Sequence, residues 1–159
     1  MQVRPGLTKD DYSTTGYEQD RSTDCKISWR RCRDNYSNLL ALTGYLTQSP
    51  KYVEEMYRRM VFNYLTDNKD DHCKNFSFLV RKDANGKFVW HLAPAYDLTL
   101  CTEGYNGQHA TSVNSTGYPT LQDFIAVGTR IKMTEKRCRE IFDEVYQNCD
   151  DLLLNRISK

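Results

Sequence analysis

The chain has 159 residues, enough for one domain with a sizeable core and too few for two ordinary domains. Its 22 Lys and Arg residues nearly cancel its 21 Asp and Glu residues, so the net charge of +1 gives no argument for nucleic acid or a membrane surface as the main partner. No stretch approaches the roughly 20 apolar residues that span a bilayer, and the start of the chain lacks the apolar core of a signal peptide. We therefore expect a soluble, cytoplasmic domain without direct contact to membrane or nucleic acid.

Six cysteines raise the question of a metal site. None form a Cys-x-x-Cys pair and no His-x₃₋₅-His follows them, so we do not expect zinc. Cys138 and Cys149 fall on the apolar stripe of a predicted helix, where a thiol behaves as a small hydrophobe. We expect reduced, buried cysteines.

The N-terminal part of the chain carries the weakest structural signal. Residues 1–24 are polar and aperiodic, which predicts a poorly structured segment, with the folded domain covering 25–159. From 28 to 47 the apolar spacing predicts one helix, or two short ones interrupted near Gly44.

The middle of the chain predicts a helix followed by a hairpin. Ser49-Pro50 marks the helix start, because serine can cap the first amide groups and proline suits the first turn. Apolar residues at three- and four-residue spacing continue this helix for about 16 residues, up to Leu65. The strand-like runs 76–80 and 87–92 are joined by Asn-Gly, a strong hairpin signal.

The last third is predicted as a polar loop and two helices. Residues 99–118 read as an ordered loop or a mobile surface segment. Thr120 and Asp123 resemble a capping box that opens a short helix, and Thr134 is expected to cap a longer one through Asp151 or beyond. The predicted fold is mainly α, with one small β-hairpin and the loop 67–75 between a helix and that hairpin.

Three polar residues around the hairpin suggest phosphoryl transfer. In that reaction an aspartate orients the acceptor hydroxyl and accepts its proton, while an amide oxygen and a second carboxylate bind Mg²⁺. Asp70, Asn75 five residues later and Asp97 beyond the hairpin supply these groups. Asp97 lies in an apolar run, where we expect a buried carboxylate whose cost a metal ion would offset.

Two other interpretations of these residues stay open. Clustered Asp and Asn side chains usually cap a helix end and turn the chain, which would account for 67–71 without chemistry. Alternatively, a metal-dependent hydrolase would need a ligand cluster, which the sequence could build only from Asp70, Asp71, His72 and His91.

Two motifs carry a family resemblance. The runs Phe-Asn-Tyr-Leu-Thr-Asp-Asn-Lys-Asp-Asp-His-Cys-Lys-Asn-Phe-Ser-Phe-Leu (62–79) and Trp-His-Leu-Ala-Pro-Ala-Tyr-Asp-Leu (90–98) closely resemble the C-terminal lobe of HipA-like serine/threonine kinases, the toxins of bacterial HipA–HipB toxin–antitoxin systems. The motifs have the order and distance of that family, and weaker similarity extends from about 21 to 148. The resemblance implies a helical kinase C-lobe that transfers the γ-phosphoryl group of ATP, with Mg²⁺, to a protein serine or threonine.

The resemblance also implies roles for single residues. Asp70 corresponds to the catalytic aspartate, Asn75 to a Mg²⁺ ligand and Asp97 to the metal-binding aspartate of the kinase Asp-Phe-Gly element. His72 would either shape the loop or approach the phosphates of ATP. Lys74 would either neutralise phosphate charge or remain a solvated surface lysine.

The partners follow from the same resemblance. The protein substrate would be an aminoacyl-tRNA synthetase or another translation factor, and a HipB-like antitoxin would bind the toxin. The family's N-terminal lobe, with its phosphate-binding loop and ATP-contacting lysine, is not recognisable in this sequence. We therefore expect a fragment, one polypeptide of a split kinase that binds a separate N-lobe, or a degenerate remnant. The alternative function is a non-catalytic interaction lobe.

Overall fold

A computed structural model describes residues 25–28, 35–104 and 106–157, with side chains for 35–104 and 106–150. The predicted poorly structured segment 1–24 lies outside the described residues. The described elements, in chain order, are strand β1 (Cys25–Ser28), helices α1 (Tyr36–Thr47) and α2 (Pro50–Leu65), strands β2 (Ser77–Lys82) and β3 (Phe88–Leu92), and helices α3 (Leu121–Arg130) and α4 (Glu135–Ile157). The predicted mainly α fold is confirmed. Across these described ranges, no helix is both long and apolar enough to cross a membrane.

Helix α1 starts later than the sequence predicted. It begins at Tyr36 because the side chain of Asn35 accepts a hydrogen bond from the backbone N–H of Ser37 at 2.8 Å, which caps the helix. Of the two predictions for this stretch, the single helix is confirmed, since α1 continues through Gly44 to Thr47. Ser28, the predicted start, instead ends strand β1.

Helix α2 confirms the predicted bounds and corrects the predicted capping. Ser49 is extended at the N-cap position and Pro50 occupies the first turn, but the serine side chain makes no capping hydrogen bond. The Ser49 carbonyl accepts the backbone N–H groups of Tyr52 at 3.2 Å and Val53 at 3.3 Å instead. The helix packs against α1 and α4. Its largest fully buried side chains are Met56, Tyr57, Met60, Val61 and Asn63.

The predicted hairpin is present and belongs to a slightly larger sheet. Strands β2 and β3 pair antiparallel, with Phe78 opposite Leu92. The Asp83 side chain accepts the backbone N–H groups of Asn85 and Lys87, each at 2.9 Å, and Gly86 has φ +77° in the turn. Strand β1 adds a third antiparallel strand along the other side of β2.

Helices α3 and α4 close the core. The predicted capping box is confirmed, because the Asp123 carboxylate accepts the Thr120 backbone N–H at 2.8 Å. Gly128 allows α3 to pack closely against Tyr57 of α2 and Cys138 of α4. A Cβ at Gly128 would lie 3.1 Å from a Tyr57 ring carbon and closer still to the sulfur of Cys138. Cys138 and Cys149 are buried as predicted, and burial raises the pKa of both thiols.

Candidate functional site

The loop that follows α2 is shaped by the end of that helix. The backbone N–H of Asn68 donates to the Asn63 carbonyl at 2.9 Å, and Asp67 turns the chain in the left-handed region with φ +51°. The chain then returns through a short 3₁₀ helix, Cys73–Asn75, into β2. Asp67 and Asn68 therefore end the helix and turn the chain, as the capping interpretation expected. That interpretation does not account for Asp70 and Asn75.

Asn75 closes this loop on itself. Its side-chain Nδ2 donates to the backbone carbonyl of Asp70 at 2.8 Å. That bond holds the amide group and leaves its Oδ1 without a hydrogen bond from any residue that the structure describes. Asp70 itself is exposed, and its Oδ1 lies 3.6 Å from Nε2 of His72. His72 thus lies beside the carboxylate on the same loop.

Asp97 corrects one sequence-based expectation. We expected a buried carboxylate, but the side chain is exposed. Its backbone adopts φ +57°, in the left-handed region that Asp tolerates better than most residues. The expectation was wrong because the apolar neighbours Leu98 and Leu100 are themselves 46% and 74% exposed. The argument that a metal ion must offset the burial of Asp97 therefore fails.

Asn75 and Asp97 nevertheless meet at one site. Both line a small cleft of about 10 Å³, which is room for one water-sized group. Asp70 does not line this cleft but lies on the loop that Asn75 closes. The remaining lining residues come from α2, the loop and the stretch after β3: Arg59, Asn63, Asn68, Asp71, Phe76, Ala95, Tyr96 and Leu98.

The donor atoms at this cleft fit Mg²⁺. The Asn75 amide and the Asp97 carboxylate offer hard oxygen ligands, and Mg²⁺ commonly takes one or two protein carboxylates together with waters and phosphate oxygens. Asn68 also lines the cleft, and its buried Oδ1 has no hydrogen-bond partner among the residues that the structure describes. Those residues thus leave oxygen ligands for a bound cation.

The hydrolase alternative finds no support in the described part of the chain. No group of three or more His, Cys, Asp or Glu side chains there could hold a metal ion. His91 contacts the hydroxyl of Tyr52 at 2.9 Å instead of facing the loop 67–75.

Asp71, which the hydrolase alternative named as a metal ligand, is the most heavily bonded carboxylate of the site. It is fully buried, and its Oδ2 accepts the hydroxyl of Tyr36 at 2.9 Å. Its Oδ1 accepts the backbone N–H of Thr111 at 3.0 Å, and its backbone carbonyl accepts the Thr111 hydroxyl at 2.6 Å. The two carboxylates of Asp70 and Asp71 therefore have opposite surroundings.

The segment 99–118 is packed against this buried carboxylate. His109 places its Nδ1 3.2 Å from Asp71 Oδ2, and its ring stacks on Tyr64 at a centroid distance of 3.7 Å. The Tyr64 hydroxyl donates to the Thr111 carbonyl at 2.9 Å. Of the two predictions for this segment, the ordered loop agrees with these contacts.

A chain of hydrogen bonds joins Asp71 to Asp97. The Tyr36 hydroxyl accepts Nδ2 of Asn63 at 2.9 Å, and the Asn63 Oδ1 accepts Nδ2 of Asn68 at 3.1 Å. The same Nδ2 lies 3.4 Å from the backbone carbonyl of Asp97. Burial, followed by the charge of Asp71, raises the pKa of Tyr36 well above its ordinary value, so its hydroxyl stays protonated and donates.

Lys74 lies next to this network without taking part in it. Its side chain is exposed and makes no ion pair with the residues that the structure describes, while its backbone carbonyl accepts the Tyr96 hydroxyl at 2.7 Å. The cofactor-binding roles of His72 and Lys74 stay predictions.

Comparison with known proteins shows what this chain is similar to. A family model described as the HipA-like C-terminal domain matches residues 12–153. A solved structure of the Shewanella oneidensis MR-1 toxin–antitoxin system, containing HipA, HipB and operator DNA, matches with a TM-score of 0.57 and 18% identity over 70% of this chain and 26% of that chain. The chain thus spans about a quarter of that matched chain. No curated protein matches.

Proposed function

Because the chain belongs to the HipA-like C-terminal domain family, we propose that it is the catalytic C-lobe of a serine/threonine protein kinase and the toxin component of a toxin–antitoxin system. The observation that carries this proposal is the meeting of Asn75 and Asp97 at one cleft, beside the loop on which Asp70 is exposed. Their oxygens suit the Mg²⁺ ion that accompanies nucleotide phosphates better than they suit a transition metal.

The proposed roles of the site residues follow from their positions and their exposure to solvent. Asp70 orients the hydroxyl of the protein acceptor and accepts its proton, because its carboxylate faces solvent where a substrate can reach it. Asn75 and Asp97 hold Mg²⁺-ATP, and the ion supplies charge compensation for the phosphates when it is bound. His72 shapes the loop beside Asp70, and the exposed ammonium of Lys74 approaches a phosphate.

The partners are proposed from the same family. The acceptor is a serine or threonine of an aminoacyl-tRNA synthetase or another translation factor, and a HipB-like antitoxin binds the toxin. The matched HipA structure contains HipB and operator DNA. The rest of the nucleotide pocket comes from an N-lobe, which a separate polypeptide would supply in a split kinase.

A second candidate is a non-catalytic interaction lobe that binds an N-lobe or an antitoxin. It is favoured by the size of the cleft, which at about 10 Å³ has room for only one water-sized group. Under this alternative, the oxygens at the cleft hold no nucleotide.

Calorimetric titration of Mg²⁺-ATP into the chain, alone and with a co-expressed N-lobe, separates these candidates. The Asp97→Asn variant removes the charge and keeps a side chain that tolerates the left-handed backbone. Asp143→Asn is the matched control, because Asp143 is exposed on α4 and does not line the cleft. The kinase requires binding that Asp97→Asn weakens at least tenfold and Asp143→Asn leaves unchanged. Absence of binding in both settings favours the interaction lobe.

A further inference from the structure

A second, larger cavity lies between helix α2 and the β2–β3 hairpin. Its volume is about 390 Å³, whereas the cleft of the candidate site has about 10 Å³. Strands β2 and β3 contribute Leu79 and His91, which lie opposite each other in the register. We call this cavity the α2–hairpin groove, and its charged residues are Lys51, Glu55, Arg58, Arg59 and Arg81. The proposed Mg²⁺ site does not account for a cavity of this size.

The α2–hairpin groove concentrates positive charge. Four of its residues are Lys or Arg and one is Glu, although the whole chain has a net charge of only +1. Arg59 balances this glutamate, because its Nε donates to Oε1 of Glu55 at 3.0 Å, and Arg58 is paired with Glu144 outside the groove at 3.1 Å. Lys51 is exposed and makes no ion pair with the residues that the structure describes. The surplus of positive charge suits an anionic partner.

Arg59 gives one end of the groove a fixed geometry. The residue is only 8% exposed, and its Nη2 donates to the backbone carbonyl of Ala93 at 2.9 Å. Arg59 also lines the cleft of the candidate site, whereas the other charged residues of the groove do not. Substitution of Lys51 or Arg81 therefore alters the groove and leaves the residues of the cleft in place.

The length of the groove indicates an elongated partner. Lys51 and Arg59 are eight positions apart on α2, which separates them by about 12 Å along the helix axis. A single carboxylate or phosphate group spans only a fraction of that distance. In an extended polypeptide, side chains two residues apart lie on the same face at a spacing of about 7 Å. Acidic residues at alternate positions can therefore meet cations at both ends of the groove.

The lining favours a polypeptide over a nucleic acid. A polypeptide can place an uncharged residue beside the carboxylate of Glu55, whereas every nucleotide carries a charged phosphate. Leu79 and Pro94 also line the groove and offer apolar surface between its cations. That surface suits the aliphatic carbons of glutamate or a small apolar side chain.

We propose that the α2–hairpin groove binds an extended acidic segment of a partner protein. Lys51 and Arg81 contact carboxylates of that segment, and its uncharged residues lie against Leu79 and Pro94. Because the groove shares only Arg59 with the candidate Mg²⁺ cleft, this inference does not depend on the proposed kinase function.

The test titrates a fluorescein-labelled peptide of repeated Glu-Ala units with the full 159-residue chain and measures fluorescence anisotropy. We expect binding that becomes about tenfold weaker or more in Lys51→Glu and in Arg81→Glu, because each variant reverses a charge in the groove. A Gln-Ala peptide of the same length should not bind, because it carries no carboxylates.

Each variant has a matched control outside the groove. Lys136→Glu makes the same change at the second residue of α4, just as Lys51 is the second residue of α2. Lys87→Glu reverses the charge of an exposed lysine on the same hairpin as Arg81. Neither control residue lines the groove, so both variants should keep the peptide affinity within about twofold.

NMR amide shifts of the unaltered chain show where the peptide binds. We expect the shift changes to be grouped in the first half of α2 and in the β2–β3 hairpin. Equal weakening by the control variants would overturn the groove as the site, because it would show attraction to overall charge. Absence of shift changes at about 5 mM peptide would overturn the proposal as well. Tighter binding of a single-stranded oligonucleotide than of the peptide, weakened by the same two variants, would overturn the polypeptide and assign the groove to nucleic acid.

Discussion

Two groups of polar residues at this site differ in how they use their hydrogen-bonding atoms. In the exposed group, Asp70 and Asp97 face solvent and Asn75 leaves its amide oxygen without a bond from the described residues. In the buried group, Asp71 and Tyr36 satisfy one another and reach α2 and the segment 99–118. The exposed atoms are available to a ligand, whereas the buried atoms are consumed within the protein.

The difference teaches that residue type does not assign a role at this site. Asp70 and Asp71 are adjacent and chemically identical, yet one is exposed to solvent and the other is fully buried. Substitution of an exposed carboxylate should change chemistry and spare stability, since such positions contribute little to folding. Substitution in the buried group should lower stability, since it leaves buried polar atoms without hydrogen-bond partners and without water.

The largest expected effect is on the rate of the proposed phosphoryl transfer. Asp70→Asn in the assembled kinase should lower kcat about 10²- to 10⁴-fold, because an amide cannot accept the proton of the acceptor hydroxyl. The melting temperature should stay close to that of the unaltered protein, because the side chain is exposed. Initial rates and thermal melts on the same preparation measure both. Near-full activity would contradict the assignment of Asp70.

A smaller effect, on stability, is expected in the buried group. Tyr36→Phe removes one hydroxyl that donates to Asp71 and accepts from Asn63, and should lower the free energy of unfolding by about 1–3 kcal/mol. Tyr118→Phe is the matched control, because Tyr118 is 81% exposed and should change stability by less than about 0.5 kcal/mol. Urea unfolding compares the two. An equal loss of unfolding free energy in the two variants would contradict the stabilising role of the buried group.

The smallest expected effect is on the free energy of unfolding, from an ion pair between α2 and α4 that is neither fully buried nor fully exposed. Arg137 donates to both carboxylate oxygens of Glu54, and these hydrogen bonds hold the pKa of Glu54 below its ordinary value of 4.5. Because the pKa of Glu54 is lower in the folded protein than in the unfolded chain, its carboxylate stabilises the fold at pH values above the unfolded pKa. This stabilisation is lost as the pH falls through the folded pKa. Glu54→Gln should therefore cost about 0.2–1 kcal/mol at neutral pH and progressively less as the pH falls below 4.5.

The control for that experiment is Glu103→Gln, since Glu103 is exposed and its side chain makes no ion pair among the described residues. Urea unfolding across the pH range should give a difference near zero for this variant throughout. A cost for Glu54→Gln that stays constant from neutral to acidic pH would contradict the ion-pair explanation.

The elements that the sequence predicted well are those whose signals are local. Helix α2 was located by its apolar spacing and by Pro50, and the hairpin by Asn-Gly, because those features act within a few residues. Strand β1 was missed because it has four residues and is defined by pairing with β2, some fifty residues later in the chain. The start of α1 was missed because the cap at Asn35 stands among other polar residues.

The candidate site also contains residues that the sequence could indicate and one whose role it could not. Asp70, Asn75 and Asp97 were found because a motif carries them at a fixed spacing. Asp71 was not assigned its anchoring role because its partners are distant, with Tyr36 35 residues and Thr111 40 residues away. A polar segment such as 99–118 gives no periodic signal to indicate which of its residues meet a buried carboxylate.

Gly128 has a consequence for which residues this position of the core can accept. The glycine lets α3 lie against Tyr57 of α2 and Cys138 of α4 with no side chain between them, because a Cβ there would overlap the Cys138 sulfur. A larger residue at position 128 would therefore force α3 away from both helices at once, and α3 is the element into which the segment 99–118 leads.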